Sequence, residues 1–241
     1  MRAEEPTVRV EDGPDARMVV CTGELTVAGA SSLHRVLRKH LLDRGRLLVD
    51  VAALRPTSAA QTTVFATVLA RAGGWPHARM VLVAPDGPVV RVMRLAGHDR
   101  EVPLAADRAA ALVRLDSPPD RVRRTTELPQ GSHAPGFVRE LVRLACDDWE
   151  LPDELRDRAV VVADELTSNA VRHTSGAGEL VLTLDARGLR VAVRDGSPTL
   201  PTLPAGPARG LGVVAALSDA QGVTPHRDGK TMWVLLRRSA R

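Results

Sequence analysis

Tyrosine is absent from this chain, and its 241 residues hold only 2 Phe and 3 Trp. Base-stacking platforms of the kind that grip single-stranded nucleic acid are therefore scarce, and a core has to be built from Leu, Val and Ala. Lysine is almost missing too: the 33 basic residues are arginine but for Lys39 and Lys230. The arginines are spread among 29 acids, with Arg121-Val122-Arg123-Arg124 the densest run, so the net charge of +4 reads as a solvated surface. Cys21 and Cys146 lie far apart without metal-ligand spacing, as expected of buried free thiols. No stretch approaches the roughly 18 uninterrupted apolar residues of a membrane span, and the opening MRAEEPTVRV lacks an apolar signal core. These absences predict a soluble cytoplasmic protein with no direct nucleic-acid partner and no membrane partner.

What is present is two differently patterned halves. The stretch 116-DSPPDRVRRTTELPQGSHAPG-136 is rich in Pro, Gly and charge and breaks the pattern. Within it, residues 122–128 alternate as a strand would, which confines the linker to about 116–121 and places domains at 1–118 and 119–241. The first half alternates strands (18–25, 47–51, 79–84) with helical runs (28–43, 58–72, 88–97, 107–115), the order of an α/β sheet covered by helices. The second reads as α+β: a strand, helices at 135–149 and about 152–173, strands at 178–186 and 188–195, a Gly- and Pro-rich loop at 196–212, a helix near 213–220 and a strand at 231–237.

The run 163-ADELTSNAVRHT-174 carries the chemistry. Leu155, Ala159, Val162 and Leu166 follow the four-three spacing of a buried helical stripe, whose next members are Asn169 and His173. Glu165 lies beside the stripe and one turn from Asn169, so the two side chains project together at the core edge. A carboxylate and a carboxamide so placed can serve as a base and as an oxygen ligand for a hard cation; by itself the pair is also what an ordinary solvated helix edge carries. His173 in such a position is more often a satisfied, partly buried histidine than a ligand. Two later segments add weight: Asp195-Gly196 presents a carboxylate at a strand end, and 206-GPARGLGVV-214 opens a helix with glycines that let backbone N–H groups approach phosphate. In contrast, 229-GKT-231 is no P-loop, because Thr224 stands where that pattern needs Gly and a strand follows where it needs a helix.

In order, ELTSNAVRH, VRDGSP, ARGLG and DGKTMW resemble the anti-sigma-factor serine/threonine kinases, of the histidine-kinase-like ATPase superfamily, over about residues 122–240. The resemblance implies an α+β sandwich that binds ATP and Mg2+. It makes Glu165 the base that activates an acceptor hydroxyl and Asn169 the magnesium ligand, with His173 in the same nucleotide site. Asp195 would bond the adenine amino group, Gly196 would give the base room, Gly210 and Gly212 would shape the phosphate lid, and Thr231 would approach the adenine end. Where the superfamily has Asp-x-Gly-x-Gly, this chain has Asp195-Gly196-Ser197-Pro198, and its lid carries Pro198, Pro201, Pro204 and Pro207. The first half resembles a STAS domain, the fold of anti-sigma-factor antagonists, through its strand order and 47-LLVDVAALRPTSAAQTTVFATVLARA-72. Aligned from Asp50, the antagonists' phosphorylated serine falls on Ala60, with Thr57 and Ser58 nearby. The partners implied are a sigma factor, a STAS-domain antagonist or both, and the likeness also allows intramolecular docking of the two domains or a homodimer. The alternative function is a catalytically weak or inactive protein-binding module that sequesters a sigma factor or antagonist.

Overall fold

The structure, a computed structural model, describes residues 6–173, 178–197 and 210–237, apart from the side chains of His173 and Leu211. The proline-rich segment expected to act as a lid lies outside the described residues. Among the described residues no helix is long and apolar enough to cross a membrane. The chain divides into two compact units, Met1–Arg123 and Arg124–Arg241.

The first unit is built on a sheet of β1 (Thr7–Glu11), β2 (Arg17–Leu25), β3 (Arg46–Pro56), β4 (Arg79–Val83) and β5 (Leu104–Ala105), in that spatial order. β1 runs antiparallel to β2, and the remaining neighbours are parallel. Parallel neighbours need crossovers, which α1 (Val27–Arg44), α2 (Thr63–Arg71) and α3 (Pro88–Ala96) supply; α4 (Arg108–Leu115) follows β5. α1 starts where the Thr26 hydroxyl accepts the Gly29 N–H at 3.1 Å, and it buries Leu33, Leu37 and Leu41 one turn apart. Strand alternation then separates two cores. Val19, Leu47, Val49 and Leu82 pack with Leu37, Phe65 and Met93, whereas Met18, Leu48, Val81 and Val83 pack with Ala111 and Leu115 of α4.

The second unit, entered two residues into β6 (Val122–Glu127), holds the rest of that strand and then α5 (Ala134–Asp148), α6 (Asp153–His173), β7 (Glu179–Asp185), β8 (Gly188–Asp195), α7 (Leu211–Leu217), β9 (Ala220–His226) and β10 (Gly229–Leu236). Its sheet runs β6-β7-β8-β10-β9, and the β7–β8, β8–β10 and β9–β10 pairs are antiparallel. α6 packs against α5, α7, β8 and β10, so the helix carrying Glu165 and Asn169 rests on the middle of the sheet. One sequence expectation is corrected here: the helix expected near 213–220 stops at Leu217, and β9 begins at Ala220. β9 is an edge strand, exposed or half-exposed along its whole length. Gly222 and Pro225 break its alternation, and Pro is tolerated at such an edge.

Candidate functional site

The apolar stripe of α6 is buried as its spacing predicts: Leu155, Ala159, Val162 and Leu166 are at most 3% exposed. Asn169, the next member, is also buried, at 7%. Its Nδ2 donates to Met232 Sδ of β10 at 3.2 Å. A thioether is a weak acceptor, so this contact orients the carboxamide while leaving its carbonyl oxygen for a stronger partner. Glu165, one turn earlier, is half-buried.

The start of α7 comes to Glu165. Gly210 precedes the helix at φ 62° and ψ −115°, a conformation open to glycine, and a Cβ built there would stand 3.6 Å from Glu165 Oε2. The other end of α7 is fastened to the same helix. Arg158 Nε and Nη2 donate to the Leu217 carbonyl oxygen at 3.1 and 2.7 Å, and Nη2 also reaches Asp219 Oδ2 at 2.9 Å. Arg158 and Glu165 are two turns apart on one face of α6, about 10.5 Å, which is also the length of a seven-residue helix. α7 therefore runs antiparallel along α6, with its N-terminus at Glu165 and its C-terminus at Arg158. Gly212 lies half-buried in its first turn.

At the end of β8, Asp195 is in register with Lys230 of β10. The approach is close because Gly229, at φ 143°, would place a Cβ 2.0 Å from the Asp195 carbonyl oxygen. Lys230 Nζ donates to Asp195 Oδ1 at 3.0 Å and to the Ser197 carbonyl oxygen at 3.2 Å, and the Ser197 N–H donates to the same Oδ1 at 2.8 Å. Both charged side chains are buried, at 2% and 1% exposure.

The structure thus gathers Glu165, Asn169 and Gly210 at the C-terminal part of α6. Met232 and Lys230 share the buried face of β10, which links that group to Asp195. Thr231 is not brought to it. By strand alternation Thr231 faces the other side of the sheet, where its hydroxyl pairs with His226 Nε2 at 2.8 Å. Gly196 is exposed beside Asp195, and the side chain of His173 lies outside the described residues. The residue types at the Glu165–Asn169 end fit a metal-bound phosphate group: a half-buried carboxylate, a carboxamide oxygen and a glycine at a helix start. At the base end, Asp195 Oδ1 is taken by the Lys230 ammonium and the Ser197 N–H, which leaves the carboxylate its other oxygen as an acceptor. Sequence reasoning missed Lys230, Met232 and Arg158. The parity of β10 held a signal for the first, because a lysine in step with Met232, Val234 and Leu236 faces the core and needs a counter-charge.

In the first unit, Ala60 and Ser58 are exposed at a 3-10 turn, Ala59–Thr62, before α2. Ala60 has no hydroxyl. The Ser58 N–H donates to Gln61 Oε1 at 2.6 Å, and the Thr57 hydroxyl donates to the Leu25 carbonyl oxygen at 3.2 Å. Beside the turn, Val27, Ala30, His34, Thr63 and Val64 line a groove of about 460 Å³ between α1 and α2. No group of three or more His, Cys, Asp or Glu side chains able to hold a metal ion occurs among the described residues.

No protein-family model matches the chain. It is 30% identical over 167 residues to the iron-dependent repressor IdeR of Mycobacterium leprae, a likeness covering 67% of this chain and 64% of the repressor, so the chain spans somewhat under two thirds of that relative's length. Among solved structures it is similar to an anti-sigma factor antagonist from Mycobacterium paratuberculosis, at 22% identity over 46% of this chain and 95% of that one, with a TM-score of 0.41. It is also similar to a candidate anti-sigma factor antagonist from Thermotoga maritima, at 17% identity over 46% and 95% of the two chains, with a TM-score of 0.38.

Proposed function

We propose that the second unit binds ATP with magnesium and phosphorylates a serine or threonine of a STAS-type anti-sigma-factor antagonist, within a partner-switching system that controls a sigma factor. The observation that carries this reading is the convergence of Glu165, Asn169 and Gly210, in which a glycine-led helix start closes on a carboxylate one turn from a buried carboxamide. Asn169 would hold the magnesium through its carbonyl oxygen, the amide nitrogen being turned to Met232. Gly210 and Gly212 would let the α7 backbone approach the phosphates. Bound ATP and magnesium would supply the transferable phosphoryl group and neutralise its charge. Glu165 would take the proton of the acceptor hydroxyl, a role needing only positioning beside the incoming oxygen. Ala60 in the first unit offers no acceptor oxygen at the position aligned with the antagonists' serine, and this reading takes the substrate hydroxyl to be that of a separate STAS-type antagonist.

A second reading is favoured by one observation, the engagement of Asp195 by Lys230. On that reading the unit is a binding module that sequesters a sigma factor or antagonist without phosphoryl transfer. Transfer from γ-labelled ATP to a purified STAS-type antagonist separates the two. The kinase reading expects labelling by the wild-type chain and a drop of about 100-fold or more for Glu165→Gln, the usual worth of a positioned base, with nucleotide affinity retained. Equal labelling by wild type and Glu165→Gln would remove the base assignment, and capture of the antagonist without labelling would leave the binding module.

A further inference from the structure

α7 has little of its own to hold it in place. It is seven residues long, about two turns, and a helix that short is not stable in water on its own hydrogen bonds. Among its described side chains only Val214 is fully buried, and Ala215 and Ala216 are exposed. Its position is therefore set from outside, and Arg158 of α6 supplies the hold. That guanidinium gives two donors to the Leu217 carbonyl oxygen, at 3.1 and 2.7 Å, and its Nη2 also meets Asp219 Oδ2 at 2.9 Å. The last carbonyls of a helix have no partner within it and carry its negative end, which suits a cation with a planar fork of donors. Asp219 is fixed in turn by the Arg237 N–H at 2.8 Å, just past the end of β10. Arg158 lies two turns before Glu165 on α6, so the same helix meets both ends of α7: the clasp at Leu217, and Gly210, where a Cβ would stand 3.6 Å from Glu165 Oε2.

We infer that Arg158 is a positioning residue for the terminal phosphate of the nucleotide. It touches no ligand. By holding the far end of α7 it keeps the Gly210-Leu211-Gly212 backbone at the phosphate beside Glu165, and the preference of the site for a nucleoside triphosphate over the diphosphate depends on it. This role rests on the nucleotide reading of Glu165 and Asn169 and adds to it the choice between phosphate chain lengths.

The experiment is calorimetric titration of Mg-ATP and Mg-ADP into the full chain, Arg158→Ala and Arg158→Lys, with melting curves of all three proteins. The wild type is expected to bind Mg-ATP more tightly than Mg-ADP. Arg158→Ala should lose about tenfold in Mg-ATP affinity, the worth of roughly one backbone hydrogen bond to a charged group, and less than about threefold in Mg-ADP affinity. Arg158→Lys keeps the charge without the fork, and its preference should fall between those of the other two proteins. If Arg158→Ala does not fold, the ratio in Arg158→Lys decides alone. A folded variant that weakens both nucleotides alike, or neither, would overturn the assignment and leave the nucleotide reading standing, because a residue that only stabilises the fold does not distinguish the two. Equal affinity of the wild type for both nucleotides would also overturn it. Binding of neither nucleotide to the wild type would remove the reading itself, and the role of Arg158 with it.

Discussion

Gly229 decides the geometry of the second unit's sheet at one atom. A Cβ there would stand 2.0 Å from a backbone oxygen of β8, and neither strand can yield without breaking the register that pairs Asp195 with Lys230. Gly229→Ala is expected to cost about 3 kcal/mol or more, from backbone clash and loss of the buried pair together, read as a lower denaturation midpoint at unchanged slope. The two cysteines make the opposite kind of residue-scale statement. Burial pushes the Cys21 thiol, and with it the Cys146 thiol, up to about 12. Both are neutral and inaccessible near pH 7, so a thiol-specific reagent should label neither in the native chain and both after unfolding. Rapid native labelling would contradict the packing of β2 or α5.

At the scale of elements, α7 depends on its two attachments to α6. Arg158 holds the C-terminal end through the Leu217 carbonyl and Asp219, and the Asp219 carboxyl is held below its ordinary value of 3.8, first by the Arg237 N–H and then by Arg158. A folded-state value below the unfolded one contributes stability above the unfolded value that is lost as pH falls through the folded one. Asp219→Asn should therefore cost about 1 kcal/mol near neutrality, a gap in melting temperature that closes as pH drops below about 4. Arg158→Ala should in addition speed amide exchange at Val213 and Val214, whose N–H groups bond the Gly210 carbonyl. The strongly periodic elements were legible in the sequence. The α6 stripe runs through Leu166 into Asn169 as its spacing demands, and β8 ends on Asp195. β9 was not legible, because an edge strand half in solvent has no apolar alternation to display, nor was β5, which is two residues long. Lys230 escaped for another reason. Its partner is 35 residues away, and only the β8–β10 register, a product of the whole sheet, puts the two opposite each other.

At the scale of the molecule, one chain carries two units with different sheet logic, a largely parallel sheet with helices on both faces and a sheet whose antiparallel strands underlie α6. The chemistry proposed here belongs to the second. The most direct test is titration of Mg-ATP into the full chain and into Asn169→Ala, followed by calorimetry. The account predicts one saturable site per chain in the wild type and at least a tenfold loss of magnesium-dependent affinity in the variant. Equal binding by the two proteins, or no binding by the wild type, would contradict it.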